Sequence, residues 1–408
     1  MAIDAGTTAW LLICAAMVMI MTPGLALFYG GLTRKKNLLS TMMMSFIPIV
    51  LVTIQWVIIG YTLAFGDTVG GFIGNMKNFG LYGIWPNTES TYAAGVPTYA
   101  FILFQLAFAI ITAAIVSSAF VERMKFSAYI IFILLWTTLV YDPIAHWVWG
   151  AGGFLGSILG ALDFAGGTVV HIASGTAALA GAIVLGKRKG FKKEEMLPNN
   201  VPFVLIGTAI LWFGWFAFNA GSALAANGIA ANAFMVTFVS SCAGGFVWLC
   251  LSWSKGKPSP IGLASGVLAG LVGITPAAGY VGPLEALIIG GVAATIGFYM
   301  IELRLKKLNV DESLDAWAVH AMGGAWGAIA TGIFASVWVT AGGASGLIYG
   351  NVYQFLIQLA AAGITMGYAF GITFLILKVM DLTMGIRVQE KAEYIGLDLA
   401  EHGEKAYA

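Results

Sequence analysis

Residues 196–254 read MLPNNVPFVLIGTAILWFGWFAFNAGSALAANGIAANAFMVTFVSSCAGGFVWLCLSWS, without one Asp, Glu, Lys or Arg. A bilayer core takes about 20 apolar residues of helix, so this run is long enough for two spans. The clusters Asn219-Ala220-Gly221-Ser222 and Ala225-Ala226-Asn227-Gly228 mark where it turns. Run 316–377 has the same length class, and shorter charge-free runs lie at 37–66, 90–121, 143–162, 164–186 and 258–284. Working outward, the whole chain predicts eleven helices, at about 8–32, 39–66, 98–121, 126–145, 165–187, 201–223, 232–254, 260–277, 282–304, 316–339 and 352–379. A transmembrane barrel would show alternating ten-residue segments, and these runs are continuous.

Composition agrees. Of the 408 residues, 59% are hydrophobic and 10% charged, and mean hydropathy is +0.88. A water-soluble surface cannot be covered by so few charges, and disorder is excluded by the excess of apolar side chains. A net charge of +1 argues against a nucleic-acid partner. Cys14, Cys242 and Cys250 sit in apolar runs without metal-ligand spacing and read as small core residues. The 53 glycines suit close helix–helix contact in lipid.

Lys and Arg orient the chain. Under the eleven-helix reading, Arg34, Lys35, Lys36, Arg123, Lys125, the 187–193 cluster, Lys255, Lys257, Arg304, Lys306, Lys307, Lys378, Arg387, Lys391 and Lys405 share one side, and Lys77 alone falls on the other. The basic side is cytoplasmic by the positive-inside rule, with the N-terminus outside and the C-terminus inside. No basic region precedes the first apolar run, so no cleavable signal peptide is expected.

Two segments resemble each other: Val169-Val170-His171-Ile172-Ala173-Ser174-Gly175 and Ala318-Val319-His320-Ala321-Met322-Gly323-Gly324. Both carry Val-His-x-x-x-Gly, the first on span 5 and the second on span 10. Five helices repeated once reverse direction, and inverted repeats of this kind build transporters with a site near the midplane. Each histidine lies roughly 10 Å deep at 1.5 Å per residue, approached from opposite faces. Ionisable residues at such depth are costly and mark function. His146 reads instead as an interfacial residue beside Trp147 and Trp149, and His402 lies in the polar tail.

Asp163 opens span 5, as an N-cap or as a negative charge at the outer mouth. Phe104 and Phe108 share one face of span 3, and Trp212, Trp215 and Phe218 lie on one side of span 6, followed by Asn219 and Ser222. Aromatic faces and a hydroxyl at an outer mouth would hold a small cation by cation–π attraction. No HExxH, P-loop or GxSxG is present, so neither a soluble-enzyme chemistry nor a primary pump is expected.

The run Asp163-Phe164-Ala165-Gly166-Gly167-Thr168-Val169-Val170-His171 resembles the signature of the ammonium transporter family, the Amt/Mep/Rh group. Pro23 to Gly31, Phe104-Gln105 to Glu122-Arg123, Trp215 to Ser222, Ala318-Val319-His320, Gly385 to Val388 and Gly396-Leu397-Asp398 agree with it. The resemblance covers essentially the whole chain. It implies an all-α polytopic membrane protein of the plasma membrane: eleven transmembrane helices with an inverted five-helix pseudo-repeat (about 8–187 and 201–339), an extra helix at about 352–379, a channel domain over 1–380 and a cytoplasmic tail over 381–408. It implies a homotrimer with one pore per protomer. Trp149 (or Trp147 in its stead), Phe108 and Ser222 would form the outer ammonium or methylammonium site, with Asp163 organising it. Phe108 and Phe218 would be the gate, and His171 and His320 the pore-lining pair. A trimeric PII protein would dock on the cytoplasmic face, where the tail packs and couples the pores. No cofactor or metal is implied. Three other readings stay open from the residues themselves: a b-type cytochrome with His171 and His320 on one haem, a secondary transporter of a larger organic cation, and an ammonium sensor.

Overall fold

The computed structural model describes residues 3–341 and 343–407. Helices occupy each of the eleven positions read from the charge-free runs: α1 Ala5–Leu32, α2 Lys35–Phe65, α3 Thr98–Ala119, α4 at 126–149, α5 Gly167–Leu185, α6 Val201–Gly221, α7 Gly228–Ser254, α8 Pro260–Ile274, α9 Pro283–Leu308, α10 at 317–334 and α11 Val352–Met384. Among the described residues, nine helical segments are long and apolar enough to cross a membrane by length and composition; α8 is shorter. The polar residues that interrupt the apolar runs act as caps. Asn200 accepts from Phe203 N at the start of α6, Asn227 from Ile229 N and Ala230 N at α7, Ser259 from Gly262 N at α8, and Asn351 from Gln354 N at α11. Each satisfies a backbone donor that the helix itself leaves free.

Several details differ from the sequence reading. Helix α4 continues to Trp149, through a π-helical turn at Thr137–Tyr141. Helix α10 stops at Phe334 because Ser336 N turns away to donate to Tyr280 O. The loop between α2 and α3 carries a small antiparallel hairpin, Thr68–Val69 with Ile73–Gly74. His146 is wholly buried rather than interfacial: Nδ1 meets Ala64 O at 3.0 Å and Nε2 meets Thr68 Oγ1 at 2.8 Å. Since Ala64 O can only accept, Nδ1 carries the proton and Thr68 donates to Nε2. The imidazole thus fastens the end of α2 and the loop that follows it to α4.

Helix α3 is the most deeply enclosed; α1 packs along α6 and α3, α7 along α8 and α9, and α11 along α5 and α10. Glycine permits the closest of these crossings. A Cβ on Gly207 of α6 would stand 2.5 Å from Phe28 N of α1. At the basic end, Glu122, Arg34, Arg188, Arg123 and Asp311 join into one ion-pair cluster. Residues 386–407 pack onto this end as two short helices, α12 Glu390–Ile395 and α13 Leu397–His402. Arg387 donates to Leu185 O at the end of α5 and to Lys187 O just after it, and Asp398 accepts from Ser40 N near the start of α2.

Candidate pore and cation site

Span 5 begins with a loop gathered around one carboxylate. Asp163 Oδ1 accepts from Gly166 N and Gly167 N at 2.8 and 2.6 Å, while Oδ2 accepts from Thr168 N at 2.7 Å and from the Thr168 hydroxyl. Gly166 sits at φ +108°, which a side chain would disfavour. Asp163 is therefore a cap whose oxygens are committed to the helix start. Its backbone carbonyl accepts from Trp149 Nε1 at 3.0 Å, which fixes the indole.

Trp149 faces a cavity of about 330 Å³ shared with Phe108, Asp163, Ser222, Gln105 and Tyr280. Trp147 does not reach it: that indole donates to Phe72 O and packs on Phe154 and Tyr368. Two residues along a helix is about 200° of rotation, so only one of the two can face inward. The Trp149 ring stands edge-on to Phe108, centroids 5.8 Å apart. Ser222 Oγ donates to Phe218 O at 2.8 Å and keeps its lone pairs free. Phe65, Tyr92 and Phe101, which the sequence reading did not single out, build the cavity's far wall.

Phe108 and Phe218 close the cavity's floor as a stacked pair, 4.1 Å between centroids. Below them His171 stacks against Phe218 and Trp215, at 5.9 and 5.3 Å. Trp215 is held by its bond to Thr275 Oγ1. Trp212, expected on the same side, turns away to pack on Phe238; three residues per step drift around a helix of 3.6. His171 Nδ1 and His320 Nδ1 lie 3.3 Å apart. Beyond them a second cavity of about 70 Å³ is lined by both imidazoles with Tyr29, Ser265 and Leu268.

Both histidines sit in π-helical turns, Gly167–Ile172 and Trp317–Met322. The glycine of each Val-His-x-x-x-Gly segment explains their approach. A Cβ on Gly175 would stand 2.3 Å from Ala321 N, beside His320; one on Gly324 would stand 3.0 Å from the Cβ of His171. Each glycine makes room for the other segment's histidine turn. The 3.3 Å contact needs one proton between two nitrogens, so one imidazole donates Nδ1–H and the other accepts. Their Nε2 atoms are then unlike, one acceptor and one N–H donor. His171 Nε2 is buried with no partner. The same contact argues against a shared haem, whose flat macrocycle must lie between its two axial nitrogens. No group of three or more His, Cys, Asp or Glu suited to a metal occurs among the described residues.

A family model described as Ammonium Transporter Family matches residues 9–407. The chain belongs to the ammonium transporter family. It is 46% identical over 402 residues to the ammonium transporter Amt1 of Archaeoglobus fulgidus, covering 98% of this chain and 99% of that one. It is 47% identical over 403 residues to an ammonium transporter of Bacillus subtilis, covering 98% of each. The crystal structure of Candida albicans Mep2 superposes with a TM-score of 0.91 at 38% identity, over 99% of this chain and 91% of that one. The protein is thus a multi-pass, helical membrane protein that transports ammonium, in a family of transporters rather than enzymes.

Proposed function

We propose that this transporter captures ammonium in the outer cavity, against Trp149, Phe108 and Ser222, removes its proton near the Phe108–Phe218 gate, and conducts ammonia along His171 and His320. The observation that carries this reading is the directly bonded imidazole pair beneath a stacked aromatic lid, with Nε2 of His171 buried and unpartnered. Bare ammonium in such surroundings loses tens of kcal/mol of hydration by idealised Born estimates, and neutral ammonia loses far less. Potassium is close to ammonium in size and has no proton to give up, so a conduit that demands deprotonation separates the two where a size filter fails. Unlike Nε2 atoms suit ammonia, which both donates and accepts, and the bonded pair offers a route for a proton to follow. Asp163, its oxygens occupied by backbone N–H groups, acts by shaping the site.

The reading extends to the whole chain. Nineteen of twenty Lys and Arg on one side of eleven helices support an eleven-span topology with the N-terminus outside and the C-terminus in the cytoplasm. The domain division is a channel over 1–380 and a cytoplasmic tail over 381–408, with the channel in the plasma membrane. The homotrimer and the PII contact rest on the family resemblance. The chain needs no cofactor for this task and performs no covalent chemistry beyond proton exchange. The test is current and uptake in proteoliposomes. His171→Ala and His320→Ala should each abolish selective ammonium flux or admit potassium while the protein still assembles; wild-type flux and selectivity in both would refute the role of the pair.

A further inference from the structure

The outer cavity holds one polar side chain that neither the cap at Asp163 nor the aromatic cage accounts for. Gln105 is 7% exposed, lines the cavity, and its Oε1 is buried without a hydrogen-bond partner. It stands on α3 three residues before Phe108, on the same helix face. A buried amide oxygen left unpaired costs about 1–3 kcal/mol, and an apolar side chain of similar length would avoid that cost. As it stands that oxygen is turned away from the open space, and the cost is recovered when the amide turns about its last torsion and something in the cavity donates to it.

We propose that Gln105 is a second hydrogen-bond acceptor for the captured cation and sets the transporter's apparent affinity for ammonium. This rests on the outer-cavity reading above. Ammonium presents four N–H donors in a tetrahedron. The faces of Trp149 and Phe108 answer its charge but accept hydrogen bonds poorly, and Ser222 answers one donor. The Asp163 carboxylate is spent on Gly166, Gly167 and Thr168. A rotation about the last torsion of Gln105 turns its carbonyl toward the cation. An uncharged acceptor also fits the task better than a carboxylate, since the site must let its ligand go to the gate; a full negative charge would hold it.

The experiment is saturable ammonium flux in proteoliposomes with Gln105→Met, which keeps the length and removes the acceptor, and Gln105→Glu, which keeps it and adds charge. Gln105→Met should raise the half-saturating ammonium concentration about tenfold, the scale of a charge-assisted hydrogen bond, with a smaller change in maximal rate. Gln105→Glu should lower both the half-saturating concentration and the maximal rate. An unchanged half-saturation in Gln105→Met, or a fall confined to maximal rate, overturns the proposal. If Gln105→Met fails to assemble, an unchanged or raised half-saturation in Gln105→Glu overturns it. Ser222→Ala in the same assay separates the two claims: a shift there without one at Gln105 rejects Gln105 alone, and no shift at either rejects the outer-cavity reading.

Discussion

Two clusters of buried polar groups lie at different depths of this protein, and they are built on opposite terms. At the basic end every carboxylate oxygen of the Glu122–Asp311 cluster is paired. Glu122 accepts from Arg34 N and Nε and from Arg188 Nη1, and Asp311 from Arg188 N, Nε and Nη2 and from Arg123 Nη1. Around the two cavities, two imidazoles share one bond, and His171 Nε2 and Gln105 Oε1 are left without a partner. Paired charges hold the loops between α3, α5 and α9 together. The unpaired neutral groups line the two cavities, along the path proposed above for ammonia. The contrast is between charges paired with one another and neutral polar groups left without a partner beside a cavity.

The comparison is broken hardest at Arg188, which bridges both carboxylates. Glu122 and Asp311 are 0% and 1% exposed, so Arg188→Ala leaves two buried charges short of a partner. A loss of about 3–5 kcal/mol is expected, read as a fall in melting temperature of the purified protein. A melting temperature equal to wild type would mean that the cluster is not structural.

Gly175→Ala strikes the other cluster without touching an imidazole. Its Cβ would stand 2.3 Å from Ala321 N, and backbone cannot step aside. The strain should cost about 1–3 kcal/mol, and it should pry His320 from His171. Ammonium flux should fall more steeply than it does in the matched Gly181→Ala, whose Cβ meets only the rim of the Phe120 ring and a methyl of Ala119. Equal flux in the two variants would detach the histidine contact from transport.

Acid separates the clusters by a third route. Burial would push the Glu122 carboxyl up, yet Arg188 and Arg34 outweigh it and hold it down at about 2. Burial likewise raises the Asp311 carboxyl, and Arg188 and Arg123 bring it below its usual range. Folded values below unfolded ones give stability that is complete above about pH 4.3, the value for a free Glu, and is lost as pH falls toward 2. Melting temperature should therefore hold from pH 8 to 5 as far as this cluster is concerned and drop below pH 4. In Glu122→Gln the drop should shrink, and an undiminished drop would place the acid-labile group elsewhere.

Much of this could be read in the sequence, and what could not has a physical reason. Charge-free runs reveal helices because backbone groups in lipid must bond internally, and the cap Asn227 lay in a cluster already read as a turn. Val-His-x-x-x-Gly was visible as a repeat, but why its glycines are there depends on Ala321 N and the Cβ of His171, each about 150 residues away in the chain. His146 looked interfacial because its partners, Ala64 O at the end of α2 and Thr68 in the loop that follows, come from about 80 residues earlier in the chain. Trp149 and Trp147 were indistinguishable until the end of α4 was known, since its rotation decides which faces the cavity. Gln105 was in view as part of a motif, but an empty valence is not a sequence pattern.

The smallest expected effect concerns a residue between the two kinds. Asp142 of α4 is fully buried beside the π-helical turns of α2 and α4. Its Oδ2 accepts from Gln55 Nε2 at 2.6 Å, and its Oδ1 has no partner. It has none of the arginines that surround Glu122, and it lines neither pore cavity. Asp142→Asn keeps an acceptor for Gln55 and carries no charge, so it should change stability by less than about 1 kcal/mol, or raise it, with ammonium flux unaltered. Asp142→Ala removes the acceptor and should cost about 1–3 kcal/mol. If Asn proves as damaging as Ala, the negative charge itself is needed there, and Asp142 does more than join α2 to α4 through Gln55.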